Sequence, residues 1–236
     1  MGRMIFGALF TLTLAHMLGA CARSHPPDPA HDVDITASDG HVLKGSYFPS
    51  GKPGPAILLI HQCNLDRHAW DTLTPNLTAA GIHVLTFDQR GFGDTSGPAD
   101  QKKTHDDVES AYAFLISRND VDKNRIAAGG ASCGVMYSSG LASRHPEIKT
   151  LLLMSGWADD NARAYFAATP SLAIFGAAAN HQSDAADIRQ AVTASKNPQS
   201  VSRIVQGSAH GVPLMDADPQ LKPALVNWLK TQLHVH

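Results

Sequence analysis

The chain has 236 residues, of which 43% are hydrophobic and 17% are charged, a balance that predicts a folded globular chain with one sizeable core. Its formal net charge of −2 argues against a nucleic-acid partner, because such proteins carry clustered positive charge. The 13 histidines are scattered, and none stands in an H-E-x-x-H or Cys/His ligand spacing, so we expect neither a metal site nor a cofactor.

The N-terminus predicts a targeting segment that is not part of the fold. Arg3 supplies a positive flank, and the apolar run at residues 5–18 that follows is too short for a membrane-spanning helix. Small residues come next and suit cleavage by a signal peptidase. Residues 1–20 are therefore interpreted as a signal peptide.

The apolar run ends in Leu18-Gly19-Ala20-Cys21, which resembles the lipobox of bacterial lipoproteins. The resemblance implies that Cys21 is lipidated and anchors the protein to a membrane of the bacterial cell envelope. Ala22 rather than Asp follows the cysteine, which in that class favours the outer membrane, facing the periplasm. An ordinary secretory signal cleaved near Ala20 or Ala22 is the alternative. Residues 21–32 are polar and rich in proline, as in a tether.

The remaining chain, residues 33–236, alternates strand and helix patterns and is interpreted as one domain. Residues 33–38 and 42–48 flank an Asp-Gly turn and predict a β-hairpin. Buried strands are predicted at residues 56–60, 83–87, 125–128, 149–154, 171–175 and 201–205. Helices are predicted at residues 69–80, 104–118, 136–143, 183–194 and 219–233. This alternation predicts an α/β fold with a doubly wound, mainly parallel sheet that follows an antiparallel hairpin.

The segment Gly130-Ala131-Ser132-Cys133-Gly134 fits the G-x-S-x-G pattern of a nucleophile elbow, and it lies between a predicted strand and a predicted helix. The turn is so sharp that a side chain at Gly130 or Gly134 would collide across it. Ser132 is expected to adopt strained backbone angles. The first N–H groups of the following helix would face an anion that forms on the serine.

Three further motifs accompany the elbow in the chain. A buried strand ends in His61-Gln62, residues 88–93 read DQRGFG, and residues 207–211 read GSAHG. Together the four motifs resemble those of α/β-hydrolases, most closely the small dienelactone-hydrolase-like serine esterases, although Gln62 stands where that family has glycine. The resemblance runs from about residue 33 to the C-terminus. It implies an α/β-hydrolase fold and hydrolysis of a small-molecule ester.

The resemblance also implies two catalytic roles. Ser132 is the expected nucleophile, and His210 is the expected base that takes its proton. Cys133 lies one residue past the apex, and the branched Val135 does not suit an elbow centred on that cysteine. A structural loop histidine is the alternative for His210.

An oxyanion hole needs two backbone donors, and the resemblance implies the N–H groups of Cys133 and Cys63. Gln62 is the second choice for the latter donor. The two cysteines are then expected to lie close together. A disulfide between Cys63 and Cys133 is one hypothesis, and two buried free thiols are the alternative.

The third member of a Ser-His-acid triad is not where the family carries it. After the strand predicted at residues 171–175 the chain has Asn180 and no carboxylate at the expected position. Asn180 could orient the base without charge, as in some cysteine proteases. Alternatively, Asp159 or Asp160 supplies the acid from the loop after the preceding strand, or Asp184 reaches in from the first turn of a helix. A degenerate site is a fourth possibility.

The chain has room for only a minimal cap, because residues 155–170 form a short excursion between two strands. An open site of this kind suits a small carboxylic ester or thioester. Trp157, Tyr165 and Phe166 either border the site or pack on the sheet. The first hypothesis is a serine hydrolase that forms an acyl-enzyme. The alternative is a non-catalytic or weakly active lipoprotein that keeps the fold as a binding scaffold. No feature indicates the oligomeric state.

Overall fold

A computed structural model describes residues 1–2 and 30–235. Residues 3–20 of the predicted signal peptide, Cys21 and most of the predicted tether therefore lie outside the described residues. The first strand begins at His31, two residues before the predicted start of the domain. Among the described residues, no helix combines the length and the apolar character needed to cross a membrane.

An eight-stranded sheet forms the centre of the molecule. Its strands are β1 (His31–Thr36), β2 (Val42–Phe48), β3 (Gly54–Ile60), β4 (His83–Phe87), β5 (Val121–Ala131), β6 (Thr150–Met154), β7 (Ala173–Ala179) and β8 (Val201–Val205). Their order is β1-β2-β4-β3-β5-β6-β7-β8. The β1–β2 and β2–β4 pairs are antiparallel, and all further pairs are parallel. The predicted hairpin and mainly parallel sheet are thus confirmed.

The described part of the chain contains seven α-helices, five between strands and two after β8, together with a short 3-10 helix at Arg67–Trp70. They are α1 (Thr74–Ala79), α2 (Gln101–Ser117), α3 (Cys133–Arg144), α4 (Asp160–Ala168), α5 (Asp184–Ala194), α6 (Leu214–Ala217) and α7 (Leu221–Gln232). The helix predicted at residues 69–80 is interrupted, because Pro75 starts a new helix in the first turn of α1. The excursion between β6 and β7 contains α4, which the sequence pattern did not reveal.

The sheet is covered on both faces, as its alternating side chains require. In β3, Leu58 and Ile60 enter one apolar core, whereas Ile57 and Leu59 enter the other. The first core contains buried residues of α2, α3, α4 and α5, and the second contains buried residues of α1, α6 and α7. Since β3, β5, β6, β7 and β8 run parallel, the loops at their carboxyl ends meet at one edge of the sheet, where ligands bind in open α/β sheets.

Candidate active site

Ser132 stands at the tip of the turn between β5 and α3. Its φ of 52° and ψ of −119° are strained for a residue with a side chain. A Cβ on Gly130 would collide with the carbonyl of Gly134, and a Cβ on Gly134 would collide with the carbonyl of Ile60. The two glycines therefore permit a turn that no other residue would allow, as the elbow interpretation requires.

The loop after β8 brings His210 to this serine. His210 Nε2 lies 2.8 Å from Ser132 Oγ, a normal hydrogen-bond distance. The Ser132 N–H donates to the carbonyl of Met154 at 2.8 Å, which fixes the elbow against the end of β6. The serine and its expected base are thus in direct contact, although 78 residues separate them in the chain.

Asp184 completes a line of three side chains. Its Oδ2 lies 3.4 Å from Nδ1 of His210, and neither atom has a hydrogen-bond partner within residues 30–235. The carboxylate belongs to the first residue of α5, and its side chain is 11% exposed. The separation is longer than a strong hydrogen bond, but catalytic contacts are often long in the absence of substrate. Of the four candidates for the third member, Asp184 is the one that contacts the histidine.

The other three candidates are engaged elsewhere. Asn180 is exposed, and its Oδ1 accepts from the N–H of Gly207 at 2.9 Å. Asp159 caps the N-terminus of α4, where it accepts from a backbone N–H at 2.7 Å. Asp160 forms an ion pair with Arg163 on the surface of the same helix. These contacts favour structural roles for all three.

The environment of Asp184 raises the pKa of its carboxyl group. Burial is the main cause, since it penalises the charged form, and the nearby imidazole of His210 opposes the rise. The hydroxyl of Ser155 also favours the ionised form of Asp184. Ser155 follows β6, is fully buried and has a positive φ of 48°. No sequence pattern indicated a role for Ser155.

The segment after β6 packs directly against the elbow. A Cβ on Gly156 would collide with the carbonyl of Ser132, so glycine is required for this approach. The next residue, Trp157, has 46% of its side chain exposed. Phe166 instead is fully buried in the first core, and Tyr165 packs against the same core from a half-buried position. Of the three aromatic residues considered, Trp157 is the one available at the surface beside the elbow.

A disulfide joins Cys63 and Cys133, whose Cα atoms are 5.9 Å apart. The disulfide hypothesis is confirmed, and the alternative of two free thiols is wrong. Cys133 is the first residue of α3, and Cys63 lies in the loop after β3. Within residues 30–235, neither of these N–H groups donates to another backbone group. Both N–H groups are therefore without a backbone acceptor in this part of the chain.

The orientation of the Cys63 N–H follows from the contacts of the preceding peptide. The Gln62 carbonyl accepts from His61 Nδ1 at 2.8 Å and from the Leu65 N–H at 3.0 Å. The N–H of Gln89 donates to His61 Nε2 at 3.0 Å, so the ring proton of His61 resides on Nδ1. Burial lowers the pKa of His61, which keeps the ring neutral. Because the peptide is planar and trans, fixing this carbonyl also fixes the N–H of Cys63 on its opposite side.

Residues 30–235 contain no group of three or more His, Cys, Asp or Glu side chains arranged to hold a metal ion. What the edge of the sheet does hold is a serine in contact with a histidine, a carboxylate behind the histidine and a disulfide between two residues whose N–H groups donate to no other backbone group of residues 30–235. Such an arrangement is able to activate a hydroxyl and to stabilise a developing oxyanion.

Comparisons with known proteins agree with this architecture. A protein from Mycobacterium tuberculosis, named uncharacterized protein Rv2307c, is 37% identical over 123 residues, which are 51% of this chain and 44% of that protein. The thiohydrolase apmlB of Arthrinium phaeospermum is 28% identical over 125 residues, 51% of this chain and 41% of that protein. The chain spans less than half the length of these curated relatives.

Among solved structures, the Pyrococcus furiosus esterase Pf2001 superposes with a TM-score of 0.72 at 18% identity. The superposition covers 87% of this chain and 91% of that one, and it shows that the two proteins share a fold. The sequence pattern of the alpha/beta hydrolase fold family matches residues 55–209, from β3 to the loop that carries the histidine. With this match over most of its length, the chain belongs to the α/β-hydrolase family.

Proposed function

We propose that the protein is a serine hydrolase that cleaves small carboxylic esters or thioesters through an acyl-enzyme on Ser132. The observation that carries the proposal is the continuous line from Ser132 Oγ to His210 Nε2, at 2.8 Å, and from His210 Nδ1 to Asp184 Oδ2, at 3.4 Å. A serine hydroxyl is a weak nucleophile until a base removes its proton, and this line supplies the base and orients it.

The proposed reaction has two halves. Ser132 Oγ attacks the ester carbonyl while His210 takes the serine proton, and the tetrahedral intermediate collapses to an acyl-enzyme when His210 returns that proton to the leaving alcohol or thiol. A water molecule then attacks the acyl group, again with His210 as base, and releases the carboxylic acid and free Ser132. Asp184 keeps the histidine in the required tautomer and stabilises its charged form.

The backbone N–H groups of Cys63 and Cys133 are proposed to form the oxyanion hole. One lies in the loop after β3 and the other begins α3, and the disulfide joins the two residues. In this position they stabilise the negative charge that develops on the carbonyl oxygen in the transition state, which is the largest single contribution in many hydrolases.

The form of the cap supports a small or externally presented substrate. The segment between β6 and β7 contains only the nine-residue helix α4, and the exposed Trp157 is the apolar side chain offered beside the elbow. Relatives named as an esterase and as a thiohydrolase support an oxygen ester or a thioester. Within the family, we place the protein with the dienelactone-hydrolase-like serine esterases because of the order of its motifs.

A scaffold without catalysis is the alternative function. The argument for a scaffold was that Asn180 stands where the family carries the triad carboxylate. The contact between Asp184 and His210 weakens that argument, because it offers a carboxylate from another position. The named hydrolase relatives also favour catalysis.

The proposal is tested by steady-state hydrolysis of p-nitrophenyl acetate and of a short-chain acyl thioester. The wild type is expected to turn over at least one of them, and Ser132→Ala is expected to be inactive on both. Asn180→Ala serves as a control, because its side chain makes only loop contacts. Equal rates for the wild type and Ser132→Ala would refute the serine mechanism, and no turnover by either protein would favour the scaffold.

We further propose that the hydrolase is held on the periplasmic side of a bacterial outer membrane by a lipid on Cys21. The support is the Leu18–Cys21 pattern in the sequence alone. Growth with an alkyne-labelled fatty acid should label the wild type and leave Cys21→Ser unlabelled. Equal labelling of both proteins, or labelling of neither, would dismiss the anchor.

A further inference from the structure

We propose that Gln62 is a positioning residue whose side-chain amide fastens the loop that carries His210 to the loop that carries the oxyanion donor Cys63. The inference rests on the serine hydrolase proposed above. Gln62 stands where the family resemblance places glycine, so this side chain is a departure that the fold itself does not require. Its buried position, at 4% exposure, shows that the side chain is packed into the site and does not extend into solvent.

Both ends of the Gln62 amide have defined partners. Oε1 accepts from the N–H of Val212 at 3.0 Å, across 150 residues of sequence. Nε2 donates to Oδ1 of Asn64 at 2.8 Å, within the loop after β3 that also carries Cys63. Because a backbone N–H can only donate, the contact with Val212 fixes Oε1 as the end of the amide that faces the histidine loop. The side chain is thereby a bridge between two loops, with one hydrogen bond on each side.

Gly211 makes this bridge possible. A Cβ at this position would collide with Oε1 of Gln62, and the φ of +69° is a conformation that favours glycine. Gly211 lies between His210 and Val212, the residue whose N–H the amide binds. Gln62 and Gly211 therefore depend on each other, because the amide of Gln62 occupies the space that a side chain at position 211 would fill.

The bridge holds the histidine loop at its buried end. On the exposed side, Asn180 Oδ1 accepts from the Gly207 N–H at 2.9 Å, and Gln182 Nε2 donates to the Ser208 carbonyl at 2.7 Å. Those contacts can be replaced by water. The Val212 N–H is buried, so removing its acceptor leaves an unpaired donor whose loop must shift to regain a partner.

A shift of this loop would move His210 relative to Ser132. A misplacement of about 1 Å can cost on the order of 100-fold in rate. The backbone carbonyl of the same Gln62 fixes the peptide that aims the Cys63 N–H. One residue thus sets the relative placement of the base and of one oxyanion donor.

The test compares Gln62→Ala, Gln62→Glu and the control Gln182→Ala in the full chain. For each protein, kcat and KM are measured with p-nitrophenyl acetate, and kcat is expressed per active site titrated with a fluorophosphonate, so that loss of folded protein does not count. Thermal unfolding is followed in parallel. We expect Gln62→Ala to lower kcat by about 10- to 100-fold with KM within about threefold, because positioning acts on the transition state.

Gln62→Glu keeps an acceptor for the Val212 N–H, and the Asn64 amide can turn to donate to it, so this variant should recover most of the lost kcat. Gln182→Ala should stay within about twofold of the wild type, since its contact is exposed. An active wild type with unchanged kcat in Gln62→Ala would overturn this inference alone. So would a Gln62→Glu variant as slow as Gln62→Ala. A wild type without turnover or labelling would overturn the serine hydrolase proposal and this one with it.

Discussion

In the proposed mechanism, Asp184 is the residue whose environment decides how strongly Ser132 is activated. It lies in the first turn of α5, where the helix dipole favours a negative charge, but burial raises the pKa of its carboxyl group. The proposed mechanism requires the negative charge of Asp184 behind His210, whereas burial of that charge destabilises the folded state. A carboxylate in this position is expected to lower the stability of the folded state while it raises the activity.

Asp184→Asn should lower kcat by about 10³- to 10⁴-fold, the loss seen when a triad acid becomes an amide and favours the wrong histidine tautomer. Ester hydrolysis by purified protein measures the effect. Asp160→Ala is the matched control, because it removes a carboxylate of the surface ion pair with Arg163. If Asp184→Asn kept the wild-type rate, or if Asp160→Ala lost it, the acid would be assigned wrongly.

The same substitution should change the dependence of stability on pH. Because the pKa of Asp184 is raised, the folded state binds its proton more tightly than the unfolded chain does. The destabilisation is therefore fully present above the folded-state pKa and is relieved as the pH falls through it. Asp184→Asn should be more stable than the wild type at neutral pH, and this advantage should shrink towards acid pH. Urea unfolding at a series of pH values tests this, and a difference that grew on acidification would contradict it.

The sequence identified Ser132 and His210 as candidates but left the third member open among four residues, and the reason is geometric. Asn180 stands nearest to the family position, yet it turns outwards to Gly207. Asp184, four residues later, also suits an ordinary helix start, so its type and position did not distinguish a structural from a catalytic carboxylate. Only the packing of α5 on β7 decides which of them meets the histidine.

Between elements, the disulfide ties the loop after β3 to the first residue of α3. It closes a segment of 70 residues, for which the chain-entropy model predicts a stabilisation of about 4 kcal/mol. It also limits the relative motion of the two proposed oxyanion donors. Its loss should thus affect both stability and catalysis.

We expect Cys63→Ser/Cys133→Ser to unfold at lower urea concentration and to show a kcat reduced by about 10-fold or more, since each oxyanion donor contributes about 10²- to 10³-fold. The backbone N–H groups remain in this variant, so the loss reports their placement. Mild reduction of the wild type should have the same effect and should reverse on reoxidation. An oxidised and a reduced enzyme of equal kcat would show that the disulfide serves stability alone.

The strands were predictable because their apolar runs are continuous and both faces of the sheet are buried, as in β3 and β4. Helix α4 was missed because it is only nine residues long and its buried residues, Ala162 and Phe166, form a single i, i+4 pair, too short a pattern to indicate a helix. The contacts of Gln62, Ser155 and Gly156 depend on how loops from different strands meet. No local sequence pattern predicts contacts between loops that are distant in the chain.

At the scale of the whole molecule, the parallel sheet brings the residues of the candidate active site together. The loops after β3, β5, β6, β7 and β8 emerge at one edge, and each contributes a part: the Cys63 donor, Ser132, Ser155, Asp184 and His210. The elbow at residues 130–134 is therefore one part of an arrangement that depends on the whole strand order. The fold was predictable from alternating elements, whereas the mutual distances within the site required the assembled sheet.

In the proposed mechanism, this assembly activates Ser132. Incubation with a fluorophosphonate, followed by peptide mass spectrometry, tests it most directly, because such probes react with activated serines and spare ordinary ones. One adduct is expected, on the peptide that contains Ser132, with slower formation in Asp184→Asn and no adduct in Ser132→Ala. An unlabelled wild type, or an adduct that persists in Ser132→Ala, would contradict it.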